Sequence, residues 1–184
     1  MKLFSFNKKE KISIEKLSKI YSNTIFEVVD KGFPEIIGFV NDNRKFEESP
    51  NLKTSDIKWF LMIIFVANNY RLSNFLKSEI VDKLHNSFAE EVVVYFSDDE
   101  PEIIRDMILD YEAFFNEQLK EANSIEKAMA RSIFIKYNLN EYQGKLLKNQ
   151  NEPNPVFLQE LANLLSHFIW NWDDFLSKYK LIED

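Results

Sequence analysis

Residues 59–67 read WFLMIIFVA, nine consecutive apolar residues with Lys58 before them and Asn68–Asn69 after. A bilayer span needs roughly 20 such residues, so the run is too short to cross a membrane. As a helix it is apolar all round, because Ile63, Ile64, Phe65 and Val66 point in different directions within about one turn. Such a helix has no side that favours water, so the rest of the chain must wrap it. The expectation is a central helix over about 56–70, opened by the capping residues Thr54, Ser55 and Asp56.

What wraps it must also be helical. The 184 residues hold only three glycines (Gly32, Gly38 and Gly144), too few for the tight turns that many short strands require. Leu, Ile, Lys, Glu and Phe recur at helical spacing instead. The fold expected is all-α, an irregular bundle of six or seven helices, and the length suits one domain over 1–184. The many Asn and Lys are read as a matter of composition, with no function attached. There is no cysteine, which removes disulfides, thiolate metal sites and a cysteine nucleophile together. The start, MKLFSFNKKEK, has an apolar patch too short for a signal peptide. A soluble, cytoplasmic chain is expected.

Along the chain, Ser13 caps a first helix to about Val29, with Ile14, Leu17, Tyr21, Ile25 and Val28 as its buried stripe. Gly32 followed by Pro34 reads as its stop, and a short helix follows over 34–41. After the central helix another begins near Ser73 and reaches Phe96. Ser97 or Asp98 then caps a helix to about Ala122, and Ser124 caps one to about Asn138. NLNEYQGKLLKNQNEPNP reads as one long loop. Pro155 opens a last helix running to about Tyr179.

The chemistry of the chain is concentrated in residues 97–112, SDDEPEIIRDMILDYE, with seven carboxylates and one arginine. Pro101 in a first turn, with Glu100 and Glu102 at the positive end of the helix dipole, accounts for how the helix begins. It does not account for Glu102, Asp106 and Asp110. These stand four apart on one row, where like charges cost about 0.2–0.5 kcal/mol per pair. Only Arg105, three residues after Glu102, offers local relief. Residues 90–126 hold twelve acids against two bases, a net of −10, while the whole chain carries −7. A solvated face is normally mixed in sign, so the asymmetry points to a surface kept negative.

Two chemistries compete for these carboxylates. DDEPE (residues 98–102) matches the Asp-Asp-x-x-Glu pattern of helical enzymes that bind diphosphates through a metal. No second metal motif or basic cluster accompanies it. EIVD (Glu79–Asp82) supplies only half of the paired motifs of helical nucleotide pyrophosphatases. Loose adjacent acids at a helix start have nothing to fix a coordination geometry, so no metal site is expected at Asp98, Asp99 and Glu102. The alternative is docking of a basic protein, and the same charge repels nucleic acid.

Of the two histidines, His85 sits at the edge of its helix's apolar stripe, where a hydrogen bond to a neighbour is the expected role. His167 has no carboxylate at helical spacing. In the last helix Leu158, Leu161, Leu165, Phe168, Trp172, Phe175 and Tyr179 repeat at 3,4 spacing, a packed seam. On one continuous helix Trp170 would point away from that seam. Either a neighbouring loop covers it or it anchors an interface.

The sequence therefore leads to a non-catalytic binding or regulatory protein, with toxin neutralisation as one concrete version. Its docking residues would be Asp98, Asp99, Glu102, Asp106, Asp110 and Trp170. No catalytic residue, metal or cofactor is assigned. A metal-dependent carboxylate hydrolase ranks second, and a carrier of an apolar ligand in the aromatic core ranks third.

Overall fold

A computed structural model describes residues 9–182. The reading of the first residues as too short for a signal peptide rests mainly on 1–8, which lie outside that range. The described elements are β1 (Glu10–Ser13), α1 (Ile14–Asn41), α2 (Ile57–Tyr70), α3 (Ser78–Tyr95), α4 (Pro101–Glu121), α5 (Ile125–Lys136), α6 (Lys145–Gln150), α7 (Pro155–Leu165), α8 (Trp172–Lys178) and β2 (Tyr179–Ile182). The fold is all-α: six helices of eleven residues or more carry the bundle, and α6 and α8 are short. No helix among the described residues is long and apolar enough to cross a membrane.

The expected central helix is α2. Every residue from Phe60 to Ala67 is buried, and α1, α4 and α5 pack around it. Its ends reach water at Trp59 and Tyr70. Its start differs from expectation. Thr54–Asp56 form a 3-10 turn, and no side chain caps the first α-helical turn. Asp56 instead accepts from the Lys53 backbone N–H at 2.8 Å.

The largest departure is α1, which runs for 28 residues through both expected stop signals. Ser13 caps it, accepting from the Lys16 N–H. Pro34 removes one backbone hydrogen bond and crowds the turn before it, at about 3 kcal/mol. Phe33, Ile36 and Val40, all buried, flank the proline. Each such side chain contributes about 1.5–3 kcal/mol on burial, so their sum outweighs the defect. Gly32 has a contact role. A Cβ there would lie 2.5 Å from the Phe168 ring, so the missing side chain is what lets that ring approach α1.

No glycine among the described residues takes a positive φ. The left-handed positions are held by Asn51, Asn138 and Asn151, the residue type that tolerates that region best after glycine. Asn138 follows the end of α5, and Asn151 ends α6. Part of the asparagine content thus has a conformational use.

Three more segments were not legible. The expected long loop at 139–154 contains a 3-10 turn and α6. It is organised by Gln143, which is buried, donates to Asn140 Oδ1 and Glu152 O, and accepts from the Asn154 N–H at 2.7 Å. The helix expected near Ser73 starts at Ser78, after a 3-10 turn over Arg71–Asn74. The last helix is broken. α7 ends at Leu165, a 3-10 turn covers Ser166–Phe168, and α8 begins at Trp172. The break is held by Asn68 of α2. Its amide donates to Phe168 O at 2.9 Å, and its carbonyl accepts from the Trp170 N–H at 2.7 Å. Beyond α8 the chain pairs in parallel with the N-terminal strand, Glu10 opposite Tyr179 and Ser13 opposite Ile182.

Two substitutions read out this packing in opposite senses. Gly32→Ala, favoured by helix propensity, should lower stability by about 1–3 kcal/mol because the Phe168 ring must move. Gly38→Ala, where a Cβ meets nothing within 4 Å, should raise it by about 0.4–1 kcal/mol. Urea denaturation of both variants gives the comparison. In the same assay Phe65→Ala should cost about 3–5 kcal/mol.

Candidate functional site

The acidic segment begins in the turn between α3 and α4. Pro101 takes the first turn of α4, as expected, but the cap residue is Glu100, and neither Ser97 nor Asp98 caps the helix. Asp98 is exposed. Asp99 is not free: Lys58 at the start of α2 donates to its Oδ2 at 2.7 Å. Asp99, expected among the docking residues, also ties this turn to the central helix. Among the described residues no three His, Asp or Glu side chains converge as metal ligands would.

On α4 the buried stripe is Ile104, Ile108, Tyr111 and Phe115. At 100° per residue the opposite face carries Glu102, Asp106 and Asp110, and all three are exposed. Glu117 and Glu121 continue the acidic face toward the helix end. Arg105 is the local relief. Its guanidinium donates to Glu90 on α3 through two nitrogens and to Glu102 at 2.9 Å. Neither Asp106 nor Asp110 has a Lys or Arg within 4.0 Å among the described residues. Lys136 of α5 lies over the rings of Tyr111 and Phe114.

Two large apolar side chains border this row. Leu109 is 60% exposed and Ile103 is 51% exposed. By helical angle they stand on opposite sides of the line through Glu102 and Asp106. Beside Leu109 a groove of about 310 Å³ opens between α3 and α4, lined by Ala89, Glu90, Arg105 and Ile108 among others. The apolar border was missed in the sequence because single apolar residues on a solvated helix face are ordinary.

Trp170 is corrected as an interface anchor. The break in the last helix turns its ring inward, where it packs against Tyr21, Trp172 and Phe175 with centroids 5.4–5.9 Å away. Arg71 donates to its backbone carbonyl.

A second constellation lies where α2, α3 and α4 meet. His85 of α3 bonds through Nε2 to Glu112 Oε1 of α4. Both side chains are partly buried. The hydrogen bond to Glu112 raises the His85 pKa above its ordinary value. Partial burial opposes this, and the charges of Glu112 and Asp82 support it. Asp82 lies one helical turn before His85, and Glu112 is 27 residues after it, so only the fold brings the pair together. The expected hydrogen-bonded histidine is found, with a partner that no spacing indicated. Comparison of the chain with known families, with curated proteins and with solved structures finds no match.

The pair links stability to pH. A histidine whose pKa is higher folded than unfolded contributes fully below its unfolded value, near 6.5. That contribution disappears as pH rises through the folded value. Urea denaturation between about pH 6 and 9 should show stability falling with pH, and Glu112→Gln should flatten that slope.

Proposed function

We propose that the protein is a non-catalytic binding protein, acting in the cytoplasm, that docks a basic partner segment along the outer face of α4. The observation that carries this reading is the combination on one helix face. Unpaired carboxylates at Asp106 and Asp110 stand beside Leu109 and Ile103, both held in water. Scattered exposed apolar residues are ordinary on protein surfaces. Here they edge a row whose Asp106 and Asp110 have no ion-pair partner among the described residues. An amphipathic segment bearing Lys or Arg with apolar residues would match both features, and the groove beside Leu109 would take its apolar side. Charge of this sign speeds encounter with basic partners and repels phosphate backbones. Neutralisation of a basic toxin or regulation of a basic enzyme are concrete versions of that role.

Affinity capture with the whole protein tests it, comparing wild type with the triple reversal Glu102→Lys, Asp106→Lys and Asp110→Lys. The reversal should fold, since all three side chains are exposed, and should lose a basic protein that wild type retains. Retention should weaken between about 50 and 300 mM salt, as screening shortens the reach of the charges. Leu109→Ser should weaken capture without changing that salt dependence. Capture that survives the reversal would refute the assignment of the site to this face.

A further inference from the structure

A groove of about 560 Å³ opens between the segment that follows α1 and the start of α6. Arg44, Lys45 and Phe46 line it from the first segment, and Lys145 and Leu146 line it from α6. Backbone bonds hold the two segments together. Phe46 bridges to Gln143, and the Glu47 N–H donates to Tyr142 O at 2.8 Å. The groove is therefore built by the fold before anything enters it.

Its charge is not used inside the molecule. Arg44, Lys45 and Lys145 are exposed, and none has an Asp or Glu within 4.0 Å among the described residues. Lys148, further along α6, differs in pairing with Glu141 at 2.7 Å. Against the three cations, Glu47 is the one carboxylate in the lining, which leaves the groove positive. Leu146 is 74% exposed, more than any other large apolar side chain of the described residues. A positive groove edged by a leucine complements an acidic helix face that carries an exposed leucine of its own. The chain has that face on α4, in Asp106, Asp110 and Leu109.

From these observations we infer that the groove takes the outer face of α4 from a second copy of this chain. Asp106 and Asp110 of one copy lie against Arg44, Lys45 and Lys145 of the next, and Leu109 meets Leu146. The contact joins two different patches, so each copy can give its row and its groove at once. The inference rests on the docking reading, because the same row serves both, and it adds the regulation of that row. A second copy and a basic partner compete for the face, so self-association withdraws it when no partner is present.

The test is a charge swap followed by sedimentation velocity of the whole protein. At about 0.1 M salt, charges more than about 10 Å apart are largely screened, so contact pairs dominate. Wild type should gain average mass as its concentration rises from about 10 µM to 1 mM. One variant carries Glu102→Lys, Asp106→Lys and Asp110→Lys, which makes the row basic. The other carries Arg44→Glu, Lys45→Glu and Lys145→Glu, which makes the groove acidic. All six side chains are exposed, so both variants should fold, with unchanged helical circular dichroism. Each alone should self-associate at least about tenfold more weakly than wild type. Their equimolar mixture should regain association, because the unaltered groove of the first meets the unaltered row of the second. Both variants remain net negative, so that recovery is not attraction between opposite net charges. The groove variant keeps its acidic row and should still capture a basic protein as wild type does, which separates this contact from the docking reading. Wild type that stays monomeric to about 1 mM, association that survives either reversal, or a mixture as monomeric as its components would overturn the self-contact and leave the docking face standing.

Discussion

The structure depends on the desolvation of α2. An apolar side chain buried there contributes about 1.5–3 kcal/mol relative to exposure, and eight consecutive residues from Phe60 to Ala67 are buried. No arrangement that leaves one side of this helix wet competes with that. α1, α4 and α5 are therefore held around it, each turning its own apolar stripe inward. The polar end of α2 completes the arrangement. Asn68, fully buried, donates to Ile64 O and Phe168 O and accepts from the Trp170 N–H. A buried amide satisfied in this way does more than avoid a penalty. It fixes where the C-terminal segment must break, which sends Trp172 into the core and packs the half-buried Trp170 against it beside Tyr21.

What was legible in the sequence follows from which signals are local. The caps at Ser13 and Ser124, Pro101 in the first turn of α4 and the all-round apolar run are properties of adjacent residues, and each is found where expected. Stop signals are local only when nothing else holds the chain. Gly32 and Pro34 fail as stops because burial of Phe33, Ile36 and Val40 outweighs the defect. The 3,4 seam of the last helix is a true pattern of burial, yet it does not imply one continuous helix. Leu161, Leu165, Phe168, Trp172 and Phe175 are all buried although the backbone breaks among them. The parallel pairing of 10–13 with 179–182 joins two four-residue segments at opposite ends of the chain, and nothing in either segment indicates the other.

The same division applies to the functional surfaces. The outward placement of Glu102, Asp106 and Asp110 follows from helical periodicity, because the stripe of α4 determines the opposite face. The engagement of Asp99 by Lys58 and of His85 by Glu112 is set by tertiary placement alone. The unpartnered nitrogen of Asn69 is a property of the folded interior, and no spacing rule finds it. What results is a carboxylate row in which Glu102 is engaged by Arg105 while Asp106 and Asp110 have no ion-pair partner among the described residues.

The central claim is that the acidic row is present despite its effect on stability, not because of it. The direct measurement is the free energy of unfolding of Asp106→Asn with Asp110→Asn, which leaves the Arg105–Glu102 pair in place. Asn and Asp have similar helix propensity, so the change reports on charge. Two like-charged i,i+4 contacts are removed, and the account predicts a gain of about 0.4–1 kcal/mol, largest at low salt. A loss of stability would contradict it, because the row would then be holding the bundle together.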